Sequence, residues 1–216
     1  MMAAEGPFLA AVIARLPDPK YNLAAHGVAF AFAVLIEAPV IMLMSASTAL
    51  VEDGSSYRKL RNFANALNVG STALLLLALV PSVFDFVMLT LIGLPEEVAE
   101  LTYGALWLFL PWPAAIGVRR FVQGVLIRSG RTRLVATGTV IRLTAMSATA
   151  LLLYLFTDFP GAWVGAASLS TAVVTEAIAA RWMASTAIRD LLSGPQRIDP
   201  AGSPLGYRRI SHFYFP

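Results

Sequence analysis

Apolar residues run along this chain in blocks far longer than a strand or a surface helix. Five blocks are complete: Leu23 to Val51, Asn62 to Phe84, Leu101 to Ile127, Leu134 to Thr157, and Phe159 to about Ile188. A bilayer core of roughly 30 Å takes about 20 apolar residues per helix, so each block is long enough to cross. Strands of a membrane barrel need only about 9–11 residues and alternate in polarity, which these blocks do not. The pattern predicts an all-α, polytopic integral membrane protein.

The two ends read differently. Met1 to Leu16 is apolar apart from Glu5 and Arg15, but it falls short of the roughly 17 residues a span needs. It lacks the positive n-region of a signal peptide, and Glu5-Gly6-Pro7 interrupts it. The expectation is the second part of a helix whose beginning is missing. Ser193 to Arg209 is polar and punctuated by Gly194-Pro195, Asp199-Pro200 and Ser203-Pro204, after which Ile210 to Pro216 turns aromatic. This predicts two parts. Residues 1–192 form a six-helix membrane unit (about 1–16, incomplete, then 23–51, 62–84, 101–127, 134–157 and 159–188). Residues 193–216 form a cytoplasmic linker and the start of a further span.

Composition narrows the class further. Of the 216 residues 57% are hydrophobic and 13% charged, against about 45–50% and a quarter in a soluble domain. The same figures exclude disorder, which needs few apolar residues and many charges. The absence of cysteine removes disulfide scaffolds, thiolate metal sites and thiol nucleophiles. A net charge of +3 is too small and dispersed to argue for nucleic acid.

Lys and Arg flanking spans stay in the cytoplasm. Arg58, Lys59 and Arg61 lie in one loop, Arg128, Arg131 and Arg133 in another, and Arg189, Arg197, Arg208 and Arg209 in the tail. The intervening loops 85–100 and 157–160 hold only Asp85, Glu96, Glu97, Glu100 and Asp158. Lys20, in the outer loop 17–22, is offset by Asp18. The alternation predicts an integral protein of the cytoplasmic (plasma) membrane with both ends inside.

Charges within spans cost at least about 2.5–3.5 kcal/mol each on insertion scales, so they face a partner or a wet cavity. Glu37 lies mid-block before Pro39, as a structural group, an ion site or a substrate contact. Arg119 and Arg120 are adjacent and therefore about 100° apart on a helix. Each either snorkels or offers a planar cation to an anionic solute or to Glu37. Arg142 and Glu176 stand in consecutive blocks, a candidate buried pair that need only hold helix register. Arg181 marks the cytoplasmic boundary, and Glu5 would be at mid-membrane in a complete helix. Gly161, Gly165, Ala166 and Ser168 favour close helix packing. There is no HExxH, GxSxG, P-loop or metal-ligand cluster, and His26 and His212 are single, so no catalytic residue, metal site or enzyme activity is expected.

Pro113, Val118-Arg119, Gly124, Val140, Arg142, Gly161-Ala162, Gly165 and Glu176 together resemble the progressive ankylosis family. That family is a branch of the MATE-like (multidrug and toxic compound extrusion) flippase superfamily. Glu5-Gly6-Pro7-Phe8 and Leu23-Ala24-Ala25-His26-Gly27-Val28 are similar to the opening of a MATE-like half, so the likeness covers about residues 5–190. The resemblance implies one of two six-helix halves packed about a central cavity, which rock between inward- and outward-facing states. It implies cavity-lining roles for Glu37, Arg119, Arg142 and Glu176, and solutes such as pyrophosphate, ATP or citrate. The expected function is thus one half of a secondary transporter exporting a small, anionic solute, inactive alone. Its partners would be the bilayer, the solute and a second half: a separate chain, a second copy or a missing C-terminal part. No organic cofactor is expected, and coupling to H+ or Na+ stays open. The alternatives are a polysaccharide or lipid-intermediate flippase and a non-transporting membrane scaffold.

Overall fold

Proline, more than polarity, decides where the long apolar blocks break. A proline removes one backbone donor and crowds the preceding turn, so a helix ends or bends beside it. The computed structural model of the protein describes residues 5–194 and 206–214. Within them α1 is Glu5–Ile13, α2 Pro19–Ile41 and α3 Leu43–Leu50. The α2–α3 break at Met42 lies three residues after Pro39, and the two still form one apolar rod of 32 residues.

Helix α4 is Gly54–Ala78, and Pro81 then opens α5 (Pro81–Asp85), which continues into a π-helical segment, Phe86–Leu91, at 76° to α4. Helices α6 (Glu96–Leu108) and α7 (Trp112–Arg128) meet at 44° where Pro111 and Pro113 interrupt the ladder. Then follow α8 (Thr132–Phe156), α9 (Gly161–Met183), α10 (Ser185–Ser193) and α11 (Tyr207–Tyr214). The described residues contain no strand. Three helical stretches are long and apolar enough to cross a bilayer, Pro19–Leu50, Thr132–Phe156 and Gly161–Met183, and five if each bent pair is one span.

Several expected boundaries shift for local reasons. The second block was expected to begin at Asn62, but α4 starts eight residues earlier, so Arg58, Lys59 and Arg61 occupy its first turns instead of a loop. Asp53 explains the early start: its carboxylate accepts from the Ser56 backbone N–H at 2.8 Å, and the Ser56 hydroxyl returns to the Asp53 backbone, a reciprocal cap. The block 101–127 is two bent helices, and 159–188 divides at Ala184. Helix α1 has nine described residues, about 14 Å of helix. At the tail, α11 packs back on the bundle, with Ile210 buried and Tyr214 edge-on to Phe63 at 5.0 Å. Residues 1–4, most of the linker (195–205, with Arg197, Asp199-Pro200 and Ser203-Pro204) and the closing Phe215-Pro216 lie outside the described residues.

Backbone groups freed by the breaks find side chains, as buried polar groups must. Tyr103 donates its hydroxyl to the Leu79 carbonyl at 3.2 Å, where α4 ends. Ser170 donates to the Leu108 carbonyl at 2.6 Å, where α6 ends. Asn22 accepts from the Ala162 N–H at 2.9 Å at the start of α9, while its amide donates to the Pro17 and Asp18 carbonyls. The bundle is organised around α9, whose most apolar window is 61% buried against 17% for α8 and 33% for the Pro19–Leu50 rod. Leu151, Leu152, Leu155 and Phe156 on α8 and Val69, Leu74 and Leu77 on α4 face outward, a surface suited to lipid.

Candidate functional site

Four of the six charged side chains singled out within the spans, Glu5, Arg119, Arg142 and Glu176, converge in the bundle. Glu176 on α9 is the hub. Arg119 Nη1 donates to its Oε2 at 2.9 Å, and Gln123 Nε2 donates to its Oε1 at 3.1 Å. Arg142 on α8 pairs with the same Oε2 through Nε at 3.4 Å. Arg142 also donates through Nη2 to Oε1 of Glu5, at the start of α1. Two guanidinium groups and two carboxylates thus form one neutral tetrad drawn from α1, α7, α8 and α9. The Arg119 and Glu176 side chains are 2% and 1% exposed, Arg142 6% and Glu5 12%.

Local sequence explains the convergence. Arg119 and Gln123 are four residues apart, so they share one face of α7 and grip both oxygens of Glu176. Gly138 lies one turn before Arg142 on α8 and faces Glu176, where a β-carbon would stand 3.5 Å from Oε1, in ordinary van der Waals contact. Arg120, one position on, points away from the tetrad, with Nη1 4.0 Å from Met44 Sδ. The 100° separation expected of adjacent arginines sorts one inward and the other toward α3.

Glu37 does not join the tetrad. It is buried on α2 and accepts a hydrogen bond from the Trp112 indole N–H, and it has no ion-pair partner among the described residues. The pairing of Glu37 with an intramembrane arginine, open from the sequence, is therefore not made. Asn68 packs against Gly117 of α7, and the Asn68 Oδ1 and Thr72 Oγ1 atoms are buried without a hydrogen-bond partner among the described residues.

Two participants were missed as site residues. Gln123 carries a signal in its i,i+4 spacing from Arg119; Trp112 carries none, because its distance from Glu37 closes only in the folded bundle. Among the described residues no group of three or more His, Asp or Glu could hold a metal ion. The arrangement compensates buried charge with buried charge.

The described chain is thus an all-helical bundle with several helices able to cross a membrane and a buried ionic cluster at its centre. No family model matches it, and neither does any curated protein or solved structure.

Proposed function

We propose that this chain is a membrane transport module, one six-helix half of a MATE-like secondary transporter, which moves a small anionic solute by alternating access. The observation that carries this reading is the Glu5–Arg142–Glu176–Arg119 tetrad, since intramembrane ionisable groups mark solute and ion pathways more often than they serve packing. Guanidinium groups suit carboxylates and phosphates because their planar fork matches both, in keeping with citrate or pyrophosphate as solute class. Two arginines on different helices would release or rebind an anion as those helices shift. The alternating basic and acidic loops support a placement in the cytoplasmic membrane with both ends inside. Carriers built of repeats move one bundle against another around a site at their interface, so a single half needs a second.

Uptake of radiolabelled citrate or pyrophosphate into proteoliposomes tests the reading. The single chain is expected to give none above empty vesicles. A tandem fusion of two copies, which share one orientation, should give saturable uptake that Arg142→Gln in both copies abolishes. Saturable uptake by the single chain would overturn the half-transporter reading. A tandem that stays silent while folded, with its tetrad intact, would leave the scaffold reading in its place.

A further inference from the structure

The tetrad has a fixed side and an exchangeable side. Glu176 is engaged by Arg119, Gln123 and Arg142 and is almost without exposure. Glu5 is held through one oxygen by Arg142 alone among the described residues, and it is the most exposed of the four. Its helix is anchored elsewhere: Leu9 and Ile13, farther along α1, are the residues fully buried against the bundle. A change of side-chain rotamer therefore withdraws the Glu5 carboxylate while α1 stays seated.

Charge arithmetic says what would replace it. Without Glu5, two guanidinium groups face one carboxylate, leaving a net positive site in surroundings of low dielectric, where an unpaired charge is costly. A cationic ligand would have to displace Arg119 or Arg142 from Glu176, the sealed side of the network. An anion has only to take the place of one singly held carboxylate.

We propose that Glu5 is a resident carboxylate occupying the anion subsite on Arg142, and that a carboxylate- or phosphate-bearing solute binds by displacing it. This rests on the anion-transport reading for its purpose, but its test reads binding alone, so the two can fail separately. Glu5 keeps Arg142 paired when the site is empty and sets a threshold: a weak or singly bonded anion does not outcompete an intramolecular carboxylate. A solute that places two oxygens on the Arg142 edge vacated by Glu5, with Glu176 left on Nε, does.

The test is thermal unfolding of the full chain in detergent, titrated with citrate or inorganic phosphate at constant ionic strength. The parent should show a small anion-dependent rise in Tm. Glu5→Gln should start from a lower Tm and respond more strongly, its apparent citrate affinity tightened by about tenfold, as ~1.4 kcal/mol of relieved competition gives. Glu5→Gln/Arg142→Gln, neutral again, should recover Tm and lose the response. Should Glu5→Gln fail to fold, Glu5→Asp, which keeps the charge but shortens the reach to Arg142, should tighten citrate by a smaller factor. An affinity in Glu5→Gln (or in Glu5→Asp) no tighter than the parent's, or a citrate response that survives in the double variant, would overturn the proposal.

Discussion

Arg119 holds Glu176 at 2.9 Å with both side chains withdrawn from solvent, so neither can lose its partner and relax into water. Removing one member of a buried pair costs about 3–5 kcal/mol, because the other charge is stranded. Arg119→Leu should therefore lower folded yield and Tm markedly, and Glu176→Leu should do worse, since Arg119 and Gln123 then lose their acceptor and Arg142 one of its two carboxylates. Arg119→Leu/Glu176→Leu leaves Arg142 with Glu5, a neutral pair, and should recover much of the loss. Arg142→Leu/Glu176→Leu should recover less, because it strands both Arg119 and Glu5. Equal recovery by the two doubles, read as Tm in one detergent, would mean that the four groups do not act as one network.

Close helix approach gives a second test. A β-carbon on Gly124 would overlap the Met44 carbonyl and the Ser47 hydroxyl, where α7 crosses α3. Backbone cannot swing aside as a flexible side chain can. Gly124→Ala should cost about 1–3 kcal/mol, the range for overpacking. Gly27→Ala, with open space around the added carbon, should cost nothing. Comparable losses at the two positions would show that the α3–α7 crossing is looser than described.

The Arg142–Glu176 pair is legible from the sequence because α8 and α9 are consecutive and antiparallel, and each carries a charge well inside its apolar block. Arg119 is legible as a buried cation but not as a ligand of Glu176: its partner lies 57 residues away on another span. Glu5 is harder still, 137 positions before Arg142 in the chain. The helix breaks follow Pro39, Pro81, Pro111 and Pro113, all visible in the chain, but the 76° and 44° bends, and the capping of the Leu79 and Leu108 carbonyls beside them by Tyr103 and Ser170, are set by the folded bundle. Hydropathy averages over such breaks, and for that reason α6 and α7 read as one continuous block.

The α4 cap carries a pH dependence. Burial alone would raise the Asp53 carboxyl, but the Ser56 backbone N–H and the Ser56 and Ser55 hydroxyls donate to it and hold it below its ordinary value near 3.8. A carboxyl lowered on folding adds stability that is full above the unfolded value and is lost as pH falls through the folded one. Asp53→Ala should cost about 1 kcal/mol at neutral pH, as loss of a cap does. Asp53→Asn should keep most of the cap and lose this acid sensitivity. Parallel Tm–pH curves for the parent and Asp53→Asn from pH 6 down past the ordinary carboxyl range would contradict the assignment.

Orientation is open to a background-free experiment, because the chain has no cysteine. Arg128, Arg131 and Arg133 gather at the α7–α8 turn, and Arg131 pairs with Asp190 of α10 at 3.3 Å, so this end concentrates positive charge. At the opposite end a cavity of about 750 Å³ opens between the α1–α2 loop, the start of α6 and the α8–α9 loop. Asp18, Glu97, Glu100 and Asp158 line it against the single cation Arg15. Positive charge stays inside, so the arginine turn should be cytoplasmic and the acidic cavity external. Ser56 would be a poor reporter despite its place among the basic residues, since it is buried within the α4 cap. Ser129 and Glu97 are both exposed, at opposite ends. In sealed cells, Glu97→Cys should react with an impermeant maleimide, and Ser129→Cys should react only after permeabilisation. Labelling of Ser129→Cys from outside, with Glu97→Cys protected, would invert the topology and place the acidic cavity in the cytoplasm.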